Sequence, residues 1–84
     1  MRITFKLYAS LTDYLPAAVR RGNEIQLDVA QESTIVDVIM PFALPMKMVH
    51  LVLINGVFVA PKDRATRTLA EGDVLAIWPP IAGG

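Results

Sequence analysis

The fold is decided by the stretch in which the spacing of apolar residues changes, Ser33-Thr34-Ile35-Val36-Asp37-Val38-Ile39-Met40-Pro41-Phe42. Its apolar residues recur at i, i+3, i+4 and i+7, the spacing of a helix with one buried face: Ile35, Val38, Ile39 and Phe42. Ser33 or Thr34 is placed to cap the first turn, and Asp37 can complete a capping box with Thr34. Pro41 ends or kinks the helix because proline lacks the backbone N–H and its ring clashes with the preceding turn. The stretch therefore predicts one short helix.

The segments on both sides of this helix show the period-two alternation of half-buried strands. Asn55-Gly56 separates two apolar runs, which is a strong signal for a tight hairpin. The connection 9–24 is long and is expected to hold one weak helical turn around Leu11 to Leu15. Strands joined through one helix form a mixed sheet that curls around it. We predict an α+β fold with a mixed sheet of about five strands packed on one short helix, and the strands are placed at 2–8, 25–29, 51–54, 57–59 and 74–78.

Composition excludes several classes of function. The 84 residues are enough for one small domain. Eight Lys and Arg balance eight Asp and Glu, so the chain lacks the basic excess by which proteins bind nucleic acid. The longest apolar stretch, Val38 to Met46, is interrupted by two prolines and is shorter than the roughly 20 residues that span a membrane. The N-terminus shows no apolar region typical of a signal peptide. We therefore expect a cytoplasmic protein that binds neither nucleic acid nor membrane.

The chain offers few groups for chemistry of its own. It contains no cysteine, and its single histidine, His50, has no second ligand at metal spacing. No Ser-His-Asp, paired-carboxylate or phosphate-loop pattern is present. Lys62, Arg64 and Arg67 form a small basic cluster that could pair with acidic residues of a partner, and they are interpreted as a solvated polar loop. We therefore expect no enzyme activity, no bound cofactor and no metal site in this chain.

The C-terminal residues are predicted to form a flexible arm, residues 79–84, that leaves a domain of residues 1–78. Pro79 and Pro80 stop the last strand and hold the backbone extended. Six residues at about 3.3 Å each would reach roughly 20 Å from the sheet. Gly83 and Gly84 lack a Cβ atom, so this end could pass through a channel too narrow for other residues. The alternative is a frayed terminus with two glycines of no function.

Three aromatic residues are expected to share the open face of the sheet. If Ile3, Phe5 and Leu7 face the core, the strand alternation turns Tyr8 outward, and it does the same for Ala76 and Trp78 in the last strand. Phe58 should face outward between the inward-facing Val57 and Val59. Exposed aromatic residues are typical anchors of protein interfaces. The alternative is that one or two of these rings belong to the core or cover the long first connection.

Several segments carry a resemblance to a known family. They are Ile3-Thr4-Phe5-Lys6-Leu7-Tyr8-Ala9, Ser33-Thr34-Ile35-Val36-Asp37, Leu53-Ile54-Asn55-Gly56, Leu69-Ala70-Glu71-Gly72-Asp73-Val74 and Trp78-Pro79-Pro80-Ile81-Ala82-Gly83-Gly84. With these the chain resembles the sulfur carriers of the ubiquitin-like β-grasp superfamily, the MoaD/ThiS family. Its members include the small subunit of molybdopterin synthase and the thiamine-pathway sulfur carrier. The Pro-Pro ending is more similar to the molybdopterin branch, whereas residues 11–16 resemble ubiquitin-like domains attached to other proteins.

The resemblance implies a function for the arm. An E1-like adenylyltransferase would use ATP to adenylate the carboxylate of Gly84, and a sulfur donor would convert it to a thiocarboxylate. Sulfur would then be delivered in the synthesis of molybdopterin, the organic part of the molybdenum cofactor, within the large subunit of molybdopterin synthase. Tyr8, Phe58 and Trp78 would dock these partners, and the arm residues Pro79, Pro80, Ile81, Ala82 and Gly83 would enter their sites. ATP and the sulfur donor would be bound by the partners.

Other functions remain open at this point. The same arm could deliver sulfur to thiazole synthase for thiamine or to another metabolite. It could also be joined to lysines of other proteins, as a ubiquitin-like modifier is. In the third alternative the chain is a non-catalytic interaction module, in which the aromatic face binds a partner and the two terminal glycines have no role.

Overall fold

The computed structural model describes residues 1–81, which form a five-stranded sheet and one short α-helix. The elements are β1 Arg2–Leu7, β2 Glu24–Asp28, α1 Ile35–Ile39, β3 Leu51–Ile54, β4 Val57–Phe58 and β5 Val74–Trp78. Every predicted strand and the helix are present, and the predicted α+β fold class is confirmed. The bounds differ by one residue at the ends of β1, β2 and β4. The predicted end residues Tyr8, Val29 and Val59 lie just outside these strands, although each still donates its N–H to a backbone carbonyl of another segment.

The sheet is mixed, with the strand order β2-β1-β5-β3-β4. The first and last strands lie side by side at its centre and run parallel, with Phe5 opposite Leu75 and Leu7 opposite Ile77. The remaining pairs, β1 with β2, β5 with β3 and β3 with β4, are antiparallel. The sheet therefore joins the two halves of the chain through its central pair, and the chain leaves the sheet from a central strand.

One face of the sheet packs on α1. The inward residues of the three inner strands are completely or almost completely buried, and they contact buried residues of the helix and loops. The ring of Phe5 packs on that of Phe42, with centroids 4.8 Å apart. Burial of one such side chain contributes about 1.5–3 kcal/mol. The core residues from sheet and helix are Ile3, Phe5, Leu7, Val52, Ile54, Leu75, Ile77, Ile35, Val38 and Ile39.

The helix is short for the reasons that its sequence indicates. The Thr34 side chain accepts a hydrogen bond from the Asp37 N–H at 3.1 Å, and the Asp37 carboxylate accepts one from the Thr34 N–H at 3.0 Å. This capping box satisfies two backbone donors at the helix start. Around Pro41 the chain tightens into a single 3₁₀ turn, Met40–Phe42, and Ala43 follows in the left-handed region with φ of 57°. The helix thus ends where proline predicts.

The long first connection is structured by its own apolar residues. Its predicted helical turn is a 3₁₀ turn, Ala9–Tyr14, from which Leu11 enters the core together with Leu15. The Arg20 guanidinium donates to the carbonyl oxygens of Leu15 and Asp13 at 2.9 and 3.0 Å. The connection therefore closes one end of the core instead of lying in solvent.

Within residues 1–81, the structure contains no helix with the length and apolar character that crossing a bilayer requires.

Replacing Thr34 by Ala should lower the free energy of unfolding by about 1 kcal/mol, because it leaves the Asp37 N–H without its capping oxygen. Denaturant unfolding measures this change. Ser10→Ala is the control, since Ser10 is exposed and its hydroxyl makes no hydrogen bond within residues 1–81. That variant should stay within about 0.5 kcal/mol of the parent. Equal stabilities of the two variants would contradict the role of the capping box.

Candidate docking surface and C-terminal arm

The last residue of β5 lies against an aromatic residue from the end of β1. Because Leu7 pairs with Ile77 in the parallel register, the next residues, Tyr8 and Trp78, are neighbours on the open face. Their rings are stacked, with centroids 4.0 Å apart and planes at 7°. The Tyr8 N–H donates to the Ile77 carbonyl at 3.1 Å, which extends the strand pairing to this point. Both rings are half-buried and form one flat apolar surface.

Phe58 lies on the same open face but does not touch this stacked pair. It pairs with Leu53, which in turn pairs with Ala76 of β5, so these three side chains form one row across the sheet. Neighbouring strands are about 4.8 Å apart, which places Phe58 about 10 Å across the sheet from Ala76. Phe58 remains 55% exposed, more than either of the stacked rings. More than half of the Phe58 surface is therefore open to solvent.

Two side chains of this region differ from the sequence-based prediction. Ala76 is on the outward side of β5 but is only 7% exposed, because its small side chain lies between Lys6 and Leu53 in the pairing register. Val57 was expected to face the core, yet it is 64% exposed. It belongs to the two-residue edge strand β4, where no further strand covers it. The pleat alone therefore did not determine exposure at either position.

The open face is divided into an apolar and a polar half. The apolar half combines Leu51 and Leu53 of β3, Phe58 of β4 and the stacked pair at the ends of β1 and β5. On β1 and β2, Lys6 lies 3.8 Å from the Glu24 carboxylate, and the Gln26 amide donates to the Thr4 hydroxyl at 2.8 Å. We call the surface formed by Tyr8, Leu51, Leu53, Phe58 and Trp78 the aromatic surface. Its polar border would limit how a partner can be aligned on it.

The predicted arm begins at the edge of the aromatic surface. The His50 N–H donates to the Trp78 carbonyl at 3.1 Å, so β5 is held in the sheet up to its last residue. Pro79 is half-buried, Pro80 is exposed and Ile81 is 82% exposed, and these three residues have no regular secondary structure. Ala82, Gly83 and Gly84 lie outside the described residues. The division into residues 1–78 and an arm of 79–84, and the roles of the arm and aromatic residues, remain predictions.

Arg64 has a place in the structure that its sequence context did not indicate. It was interpreted as part of a solvated loop, but it is only 6% exposed. Its guanidinium donates to three carbonyl oxygens: Nη1 to Val49 at 2.9 Å, Nη2 to His50 at 2.8 Å and Nε to Val59 at 3.4 Å. Burial lowers the pKa of Arg64 from its ordinary value. The neighbours Lys62 and Arg67 are exposed as expected.

These hydrogen bonds join the segments around β3 and β4. Val49 and His50 precede β3, and Val59 follows β4. The Arg64 carbonyl also accepts a hydrogen bond from the Val36 N–H of α1 at 3.2 Å. No local sequence pattern reveals this role, because the three acceptors are backbone oxygens up to 15 residues away. The buried cation therefore fixes the hairpin that presents Phe58.

The described residues offer no evident place for a metal ion. Within residues 1–81, no three side chains among His, Asp and Glu come together in a way that could hold one. His50 is exposed beside Arg64 and belongs to no such group.

This sheet order, with the helix on one face, defines the ubiquitin-like β-grasp class of proteins, and solved structures share it. SAMP1 from Haloferax volcanii is 24% identical, with a TM-score of 0.70 and complete coverage of both chains. Another crystal structure, of H. volcanii small archaeal modifier protein 1, is 24% identical with a TM-score of 0.67, covering 95% of this chain and 98% of that one. The solution structure of the H. volcanii HVO 2177 protein is 23% identical with a TM-score of 0.73, covering 100% of this chain and 87% of that one.

The family follows from the sequence comparison. The family model described as Mut7-C ubiquitin matches residues 1–82, so the chain belongs to the Mut7-C ubiquitin family. The predicted ubiquitin-like β-grasp fold is thereby confirmed. No curated protein sequence matches the chain significantly.

Replacing Arg64 by Met should lower the free energy of unfolding by about 3 kcal/mol or more, because the Val49, His50 and Val59 carbonyls would lose their donors. Thermal and denaturant unfolding measure this loss. The control is Lys62→Met, two residues earlier and exposed, which should stay within about 0.5 kcal/mol of the parent. A similarly small effect for Arg64→Met would contradict its structural role.

Proposed function

We propose that the chain is a ubiquitin-like carrier that is activated at its C-terminus by a partner enzyme. The observation that carries this proposal is the position of the chain exit: β5 ends beside the stacked Tyr8 and Trp78 rings, and exposed residues Pro80 and Ile81 follow. A partner that docks on the aromatic surface would therefore have the terminal residues close to its own active site. The binding energy gained by contact with the aromatic surface would position the reacting carboxylate of Gly84 in that active site.

The chemistry needs only one group from this chain, the carboxylate of Gly84. A terminal carboxyl has a pKa of about 3.5 and is ionised at neutral pH. One of its oxygens attacks the α-phosphorus of ATP, an O–P bond forms, and pyrophosphate leaves. Sulfide supplied by the donor then attacks the acyl carbon, a C–S bond forms, and AMP leaves with the original oxygen. The partners would hold ATP and the sulfur donor, and this chain would act as a carrier rather than as an enzyme.

For the destination of the sulfur, we propose molybdopterin synthesis. The support is the ending Trp78-Pro79-Pro80-Ile81-Ala82-Gly83-Gly84, which resembles the small subunit of molybdopterin synthase. The partners would be an E1-like adenylyltransferase and then the large subunit of the synthase, in the cytoplasm where ATP is available. Delivery to thiazole synthase would use the same loaded terminus and differs only in the acceptor.

A second candidate is a protein modifier. Two of the similar structures are of a protein named a small archaeal modifier, and they match this chain over almost its whole length. A modifier would use the same adenylated Gly84, but the amine of a target lysine would attack the acyl carbon instead of sulfur. The two candidates therefore share the activation step and separate only afterwards.

Incubation of the chain with an E1-like enzyme, ATP and a sulfur donor should replace one oxygen of Gly84 by sulfur, as read by intact mass. A lysine-linked adduct would support the modifier instead. An unchanged mass would support the third alternative, an interaction module in which the two terminal glycines have no role.

Deletion of Gly84 should abolish formation of the adenylate and leave the thermal unfolding midpoint unchanged, because the deleted residue lies beyond the described core residues 3–77. Gly22→Ala, in the connection between β1 and β2, is the matched control. A Cβ there would meet only the Val19 carbonyl, at an ordinary 3.8 Å, so activation should persist. Adenylate formation by the shortened chain would refute the proposed site.

Phe58→Ala should weaken binding of the activating enzyme by roughly tenfold or more, because exposed aromatic anchors contribute about 2 kcal/mol to interfaces. Titration calorimetry measures the change. Val57→Ala is the control, since it truncates an apolar side chain of the same strand that is at least as exposed and points to the other face. Equal losses for the two variants would show that binding does not use the aromatic surface.

A further inference from the structure

A groove next to the hairpin has a chemistry that the proposed function does not use. It has a volume of about 520 Å³ and lies between the first turn of α1, the start of β3 and the chain after β4. That volume is within the range of about 300–1,000 Å³ that is typical of ligand sites. We call it the Arg64 groove, and its main lining residues are Val36, Met46, His50, Phe58, Pro61 and Arg64.

The walls of the groove are apolar and its only charged lining residue is a cation. Met46 and Phe58 are 58% and 55% exposed, so the groove keeps apolar surface in contact with water. The lining residues include Arg64 and His50 but no Asp or Glu. Apolar surface next to a positive charge is complementary to a group that is both apolar and anionic.

The charge of Arg64 is not balanced by a carboxylate in the described part of the chain. The ion pairs found within residues 1–81 are Arg2 with Asp28 and Lys6 with Glu24. The guanidinium has five N–H groups, and its three hydrogen bonds to carbonyl oxygens use one on each nitrogen. One N–H on Nη1 and one on Nη2 therefore remain without a described acceptor. Two such donors suit a carboxylate.

The position of the groove favours a protein segment as the occupant. Phe58 belongs both to the groove and to the aromatic surface, so a partner on the open face of the sheet meets the groove at its border. The groove is also partly open to solvent, since Met46 and Phe58 in its wall are more than half exposed.

We propose that the Arg64 groove binds a segment of a partner protein in which an acidic side chain stands next to an apolar one. The carboxylate contacts the guanidinium of Arg64, and the apolar side chain lies against Met46, Val36 and Phe58. The site is separate from the terminal chemistry, so it operates whether the arm carries sulfur, modifies proteins or does neither.

The direct test is an NMR titration of the isotope-labelled full chain with two peptide probes, acetyl-Leu-Glu-Leu-amide and acetyl-Leu-Gln-Leu-amide. The Glu peptide should shift the backbone amide signals of Val36, His50 and Ala65, which line the groove. The Gln peptide should bind more weakly than the Glu peptide, by roughly tenfold or more, because hydrogen bonds between charged groups are the stronger ones. Equal affinities, or shifts confined to the aromatic surface, would overturn the proposal.

Two exposed methionines provide matched variants for the same titration. Met46→Glu places a carboxylate in the groove and should reduce binding of the Glu peptide roughly tenfold or more. Met40→Glu adds the same charge at a residue that is 69% exposed and does not line the groove, so binding should be unchanged. Equal effects of the two variants would contradict the site. Benzoate binding as tightly as the Glu peptide would show a site for small carboxylates and would overturn the choice of a protein segment.

Discussion

The parallel pairing of β1 with β5 is the constraint on which the rest of the structure depends. It places residues from the two ends of the chain side by side at the centre of the sheet, with Phe5 opposite Leu75 and Leu7 opposite Ile77. All four of these side chains are completely buried. Because the pairing continues to Tyr8 and Trp78, it also brings their rings into contact and sets the point where the chain leaves the sheet. The core, the aromatic surface and the point where the chain leaves the sheet are thus aligned by one register.

The two faces of the sheet separate stability from recognition. The face toward α1 supplies the core, whereas the open face carries apolar side chains that are only partly covered. Small domains bury a limited fraction of their surface, so apolar residues left outside the core reduce an already narrow margin of stability. The proposed function gives a physical reason for this arrangement, since Phe58 and the stacked pair would be covered when a partner binds.

Arg64 shows how a buried charge can organise loops in so small a domain. Its hydrogen bonds connect the segments before β3 and after β4, and its backbone carbonyl reaches α1. Carbonyl oxygens compensate part of the desolvation of a guanidinium but supply no full negative charge. The same residue therefore stabilises the hairpin and leaves a positive field in the adjoining groove. The aromatic surface and the groove share Leu51 and Phe58.

Local patterns in the sequence determined the strands, the capped helix that ends at Pro41, the Asn55-Gly56 hairpin and the outward alternation that includes Phe58. These features depend on neighbours a few residues away, which a sequence displays directly. Only the tertiary structure decided that Ala76 is covered, that Val57 is exposed and that Arg64 is buried against three carbonyl oxygens. Burial depends on what distant segments place around a side chain, and backbone acceptors have no signature in the sequence, so these features had to come from the folded chain.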